Sequence, residues 1–278
     1  MFWTRVASAV VFAILVILVV QSGLWVFFAT VSIVVILGIV EFSKLAGLAS
    51  SLLPGFLNVV VAWLFCLSSF KPDWIDINLV LCLAIGLPFV YGIISLCFGY
   101  RVAQEREPRS ALLKVSSTLL GFLYVGWLFG RHLILLRQMP DGRNLIFLLL
   151  GITWGGDIGA YLVGMRFGKH KIIPAISPGK SLEGYIAGIV FGVATAMALC
   201  YWLPINIGLP HVVIMGAGLT IIGQIGDLAE SLLKRSANVK DSGKIMPGHG
   251  GILDRCDSMM FITPALYYYS AYILHLNR

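Results

Sequence analysis

Residues 223–258 read GQIGDLAESLLKRSANVKDSGKIMPGHGGILDRCDS, a run dense in ionisable side chains. Asp227, Glu230 and Lys234 stand at i, i+3 and i+7, so a helix through them carries all three on one face. A loop follows with Lys240, Asp241, Lys244 and the sequence PGHGG, whose glycines and proline require a sharp bend. Asp254 and Asp257 then stand at i and i+3, where two carboxylates can face a common point. Carboxylates among many cations suit a divalent ion bridging phosphates. Mg²⁺ takes one or two protein carboxylates and completes its shell with water and substrate oxygens. Such an ion neutralises a polyphosphate and polarises the phosphorus under attack, while Lys and Arg hold the other oxygens. The plainer alternative is mutual salt bridging at a membrane surface.

Two further stretches belong with this one. In GITWGGDIGAYLVG, Gly151, Gly155 and Gly159 recur every four residues, which predicts a smooth helix face for close packing against another helix. Asp157 lies off that face, and Tyr161 stands one turn later. An acidic residue at mid-span costs about 2.5–3.5 kcal/mol on insertion scales, so Asp157, Asp227 and Glu230 each imply a polar cavity, a partner or an ion. The second stretch, RFGKHKIIPAISPGKSLEG, holds Arg166, Lys169, Lys171 and Lys180, with no acid before Glu183. Ser177 or Ser181 is placed to cap the helix that follows, where free N–H groups and Lys180 favour an anion. The P-loop pattern is absent.

The elements that must hold these groups are membrane helices. The chain has 278 residues, of which 59% are hydrophobic and 12% charged, and the mean hydropathy is +0.92. A soluble domain carries about 25% charged residues, so this composition leaves too few for a water-facing surface. Nine stretches are long and apolar enough to cross a bilayer: 5–21, 24–41, 52–70, 77–98, 117–137, 145–166, 184–204, 209–231 and 257–275. The fold class is therefore all-α, a polytopic transmembrane bundle of about nine helices. The first stretch follows Arg5 but lacks a small-residue cleavage site, so it reads as a retained helix.

Placing the N-terminus in the cytoplasm puts Lys71, Arg131, Arg137, Arg143 and Arg278 outside and the remaining fifteen of the 20 Lys and Arg inside. Two parts are expected: 1–116, apolar helices ending in the mixed-charge connector RVAQEREPRSALLKVS (101–116), and 117–278, which carries the site. Residues 1–100 show no chemically suggestive cluster and are assigned packing and anchoring. Cys66, Cys82, Cys97, Cys200 and Cys256 have no C-x-x-C spacing and read as packing residues. The net charge of +7 resides in short juxtamembrane loops, which excludes nucleic acid as a partner and points to anionic lipid or a phosphate-rich ligand.

The pattern Ser231, Lys234-Arg235, Lys240-Asp241, His249-Gly250-Gly251, Asp254-Arg255 and Asp257 resembles the signature of the CDP-diacylglycerol synthases (phosphatidate cytidylyltransferases), with no element missing. WGGDIGAY around Asp157 and SPGKSLEG around Lys180 and Ser181 are similar to that family too, and the resemblance covers roughly residues 150–275. It implies a homodimeric, nine-helix, Mg²⁺-dependent membrane enzyme that converts CTP and phosphatidate to CDP-diacylglycerol and pyrophosphate. A monovalent cation such as K⁺ would share the site.

By the same resemblance, Asp227 and Asp254 are the first candidates for metal ligands, with Asp257 close by. Lys234 and Arg255 would hold phosphates, and His249 would either donate to a phosphate or shape the turn. Asp157, Tyr161, Lys180, Ser181, Ser231, Arg235, Lys240, Asp241, Lys244, Gly250 and Gly251 are assigned to substrate binding. The expected setting is a bacterial inner membrane with the site loops cytoplasmic. Two other readings remain: the same chemistry on an isoprenoid ether-lipid phosphate, and a cation transporter using Asp157, Asp227 and Glu230 as an ion path. The dense cytoplasmic Lys and Arg count against the transporter. The pattern of CDP-alcohol phosphotransferases is absent.

Overall fold

The computed structural model describes residues 2–48, 52–98, 107–245 and 250–276, and these form helices joined by loops, with an isolated bridge between Lys171 and Ser181. The helices are α1 (Phe2–Gln21), α2 (Leu24–Leu45), α3 (Leu52–Phe70), α4 (Ile77–Phe98), α5 (Pro108–Gln138), α6 (Gly142–Phe167), α7 (Leu182–Trp202), α8 (Leu209–Ser236), the single turn α9 (Leu253–Cys256) and α10 (Met259–Tyr268). Each of the nine apolar stretches coincides with one of these. Six (α2 and α4 to α8) are long and apolar enough to cross a membrane; Val10–Gln21 and Gly55–Phe70 are shorter apolar segments. Large apolar side chains point outward, as Ile85, Phe89 and Ile93 do along one face of α4. An outward apolar face of that kind suits contact with lipid.

The connector expected over 101–116 is a correction. Residues 101–106 lie outside the described residues, but α5 begins at Pro108, a favoured first helical residue because its missing N–H would be unpaired there anyway. Ala111 and Val115 are buried, with Val115 packed against Gly92 of α4. Farther along, α5 passes through a π-helical stretch, Phe122–Arg131. Gly121, Gly126 and Gly130 abut Phe42, Ala62, and Val35 with Cys66 respectively, so α5 lies tight against α2 and α3. One apolar core runs from Val20 and Phe27 through Phe129 and Leu149 to Leu253 and Leu266, joining the N-terminal helices to the C-terminal ones.

The two ends of the bundle differ in chemistry. At one end Arg137 donates to Ser22 O (2.8 Å), Gln138 to Phe70 O (3.1 Å) and Arg131 to Ser69 Oγ (2.9 Å). The acidic residues singled out from the sequence collect toward the other end. They are positioned there by the antiparallel pair α6–α7, where Gly151, Gly155 and Gly159 sit directly against Leu199, Thr195 and Phe191. Both series step by four residues, in opposite directions. A β-carbon on any of the three glycines would collide with α7, so the expected close-packing face is present.

Candidate active site

The last turns of α8 present a buried carboxyl group first. Glu230 is fully buried and forms an ion pair with Lys234 one turn on. Lys234 Nζ also donates to Asp254 Oδ1 at 2.6 Å, so one ammonium joins two carboxylates from α8 and α9. Asp227, one turn earlier, pairs with Lys180 from the loop ahead of α7. The two candidate metal-binding carboxylates therefore each carry a lysine.

Asp254 also closes the loop that follows α8. Its Oδ2 accepts from Ser242 N, Ser242 Oγ and Gly251 N, each at 2.8 Å. Burial alone would raise the carboxyl, but Lys234 and these donors outweigh it and hold the group down to about 2, so it stays ionised at neutral pH. Gly250, at φ +81°, adopts a left-handed conformation that disfavours a side chain. A β-carbon there would also stand 2.5 Å from Asp254 Oδ2.

Sequence reasoning missed Glu41. It lies on α2, is 2% exposed, and accepts from Ile252 N, Leu253 N and Ser242 Oγ, each at 3.0 Å. Two free N–H groups at the start of α9 and the loop hydroxyl thus converge on one carboxylate from the N-terminal part. Gly243 and Gly251 lie so close to its oxygens that neither position has room for a side chain. The expectation that residues 1–100 serve only packing and anchoring is corrected by Glu41, a lone acid rather than a cluster. One signal was available: Glu41 is the only acidic residue before Asp73.

The remaining acids gather where α6, α8 and α9–α10 meet. Gly226 of α8 packs on the backbone at Asp257 and Ser258. Asp157 lines a small cleft with Gly223, Gln224 and Ser258. Asp157, Asp227 and Asp257 are near enough for their charges to act on one another. Asp254 and Asp257 do not share a partner: Asp254 faces Lys234 and the loop, while Asp257 accepts from Ser258 N at 2.6 Å.

Other expected site residues have separate places. Ser181 caps α7, accepting from Gly184 N at 3.3 Å. Arg235 binds backbone oxygens, Ile176 O at 3.2 Å and Val239 O at 2.9 Å, and so fastens the loop carrying Lys180 onto α8. Tyr161 is 66% exposed, Ser231 is buried, and Lys240, Asp241 and Lys244 are exposed on the loop. Arg255 is exposed beside Asp254 and, among the described residues, makes no hydrogen bond or ion pair. His249 lies outside the described residues.

Among the described residues no three His, Cys, Asp or Glu side chains surround one point. Mg²⁺ needs only one or two protein carboxylates, because phosphates and water supply the rest of its shell. Asp227 and Asp254 are hard oxygen donors of the required kind, and each is paired with a lysine, Lys180 or Lys234, that a bound dication would displace or share. In chemical kind these donors fit a hard dication.

A bundle of apolar helices with paired carboxylates and lysines gathered at one end is the build of a membrane-embedded phosphate-handling enzyme, and sequence comparison gives its family. Residues 3–273 match the cytidylyltransferase family, so the chain belongs to that family over nearly its whole length, well beyond the 150–275 carrying the motifs. Among its relatives is the phosphatidate cytidylyltransferase of Bacillus subtilis (strain 168), 35% identical over 223 residues, or 78% of each chain. Another is the protein of that name from Staphylococcus haemolyticus (strain JCSC1435), 34% identical over 213 residues, or 77% of each.

Proposed function

We propose that this protein transfers the cytidylyl group of CTP to the phosphate of phosphatidate, giving CDP-diacylglycerol and pyrophosphate. The observation that carries this reading is the pair of lysine-bound carboxylates, Lys180–Asp227 and Lys234–Asp254, brought together from three separate segments. In that reaction a phosphatidate oxygen forms a bond to the α-phosphorus of CTP as the bond to the bridging oxygen of pyrophosphate breaks. The attacking phosphate is already anionic, so the chain need not supply a strong base. Its task is to position two polyanions and offset their charge.

Lys180 and Lys234 bind phosphate oxygens, Arg255 holds the acceptor phosphate, and exposed Lys240 and Lys244 attract the nucleotide. Asp227 and Asp254, with Asp257 nearby, hold Mg²⁺, and a monovalent cation such as K⁺ shares the site. The dication, when bound, neutralises the triphosphate and polarises the α-phosphorus. The N-terminus and site loops face the cytoplasm of a bacterial inner membrane, and two copies form the working unit. The bias of Lys and Arg supports the orientation.

The test is incubation of the purified protein with labelled CTP, Mg²⁺ and phosphatidate. Label should pass into the lipid fraction as a liponucleotide, with one pyrophosphate released for each. An inserted protein that labels no lipid would overturn the reading. Labelling of an isoprenoid ether-lipid phosphate in place of phosphatidate would redirect it.

A further inference from the structure

A cavity of about 310 Å³ lies beside the carboxylate cluster, within the range of roughly 300–1,000 Å³ typical of ligand pockets. Its walls are Val19 of α1, Val34 of α2, Phe129 of α5, Leu150 of α6, and Ile252 and Met259 either side of α9. Among the described residues, Arg255 is the only charged one lining it. The hydroxyl of Thr30, also in the wall, donates to Val26 O of its own helix at 2.9 Å.

The segment 252–259 divides this cavity from the acidic cluster. Ile252, Arg255, Cys256 and Met259 follow helical spacing and line the cavity. Asp254 and Asp257, off that face, meet Lys234 and α8. The division repeats on α6, where Trp154 lines the cavity and Asp157, three residues on, lines the cleft beside Ser258. Arg255 stands at the boundary, with no hydrogen bond or ion pair among the described residues, and its charge acts on Asp157.

We infer that this cavity seats an acyl chain of the phosphate-headed acceptor lipid, with Arg255 on its phosphate. An apolar space of this size holds no water comfortably and leaves its walls without contact atoms, a deficit that a hydrocarbon tail corrects. A tail lodged there brings the attached phosphate to Arg255, beside the carboxylates. The N-terminal helices then supply half of the lipid site, beyond their part in the core. The assignment rests on the cytidylyl-transfer reading above.

The experiment uses the wild-type protein in lipid nanodiscs and a phosphatidate carrying a diazirine in the middle of one acyl chain. After irradiation, label should appear on cavity-lining residues of α1, α2 or α6, and excess phosphatidate should suppress it. Diacylglycerol with the same chains should not. Label confined to the outer faces of α7 and α8, or equal suppression by diacylglycerol, would remove the assignment. Independently, Val34→Trp should raise KM for a long-chain phosphatidate by at least about tenfold while KM for a dihexanoyl phosphatidate changes far less. Equal changes for both lipids count against the cavity. If Val34→Trp does not fold, photolabelling of the wild type decides. Turnover of phosphatidate with label elsewhere defeats the cavity alone, whereas no turnover at all defeats the reaction itself.

Discussion

The helices before α5 and those after it solve different problems. In α6 to α10 the backbone is drawn close by glycine, and acids and lysines are paired at one end of the bundle. In α1 to α4 the helices are almost wholly apolar, yet α2 inserts the buried Glu41 beneath the loop that carries the signature. The chemistry belongs to one part, and the anchoring of its key loop at Ser242 and at Ile252–Leu253 depends on the other. The difference teaches that the flanks of a glycine-rich loop can be fastened by a group from elsewhere in the chain.

The largest expected effect tests the C-terminal part. Asp254→Asn should lower CTP-dependent pyrophosphate release on the order of 10²–10³-fold, the usual cost of losing one charged group placed for the transition state. The protein should remain in the membrane fraction. Next comes the N-terminal contribution. In Glu41→Gln one oxygen becomes an amide NH₂ facing other donors, which costs about 1–3 kcal/mol of stability. Thermal unfolding in micelles reads that loss, and a fall in kcat should accompany it. A silent Glu41→Gln would erase the contrast, leaving the N-terminal helices as anchors only.

A smaller effect is expected from pH. The Asp254 carboxyl is lowered from 3.8 to about 2 in the folded protein, so its charge favours folding. That contribution is complete above about pH 4 and disappears as pH falls toward 2. Unfolding midpoints measured across this window should decline more steeply for the wild type than for Asp254→Asn. The smallest effect belongs to the loop surface. Lys240→Ala should raise KM for CTP by roughly two- to fivefold at low salt, and the difference should shrink as salt screens it.

Much of this was legible from residue order alone. Hydropathy located the apolar helices because a bilayer demands long apolar runs, six of them long enough to cross it, and the spacing of Gly151, Gly155 and Gly159 announced the contact with α7. Lys234 and Glu230 were placed on one helical face, where they indeed meet. The partners of Lys180 and Asp254 were not legible, since each pairing joins segments distant in the chain. Glu41 escaped because a lone acid at the end of an apolar span looks like an interfacial residue, and its partners stand some two hundred positions away. The start of α5 at Pro108 was hidden by the charged residues around it, which resemble a solvated connector.

Ser242 N and Gly251 N donate to the same oxygen of Asp254, so both ends of the chain between them are tied in one knot. Once such a ring is closed, its length matters little: doubling it costs only about 0.6 kcal/mol more. For folding, residues inserted within the ring should therefore cost less than a change at the knot, whereas activity, which in the proposed reaction draws on Lys244 within it, should fall. Withdrawing that single atom would leave both ends hanging on Glu41 alone, through Ser242 Oγ at one end and Ile252 N at the other.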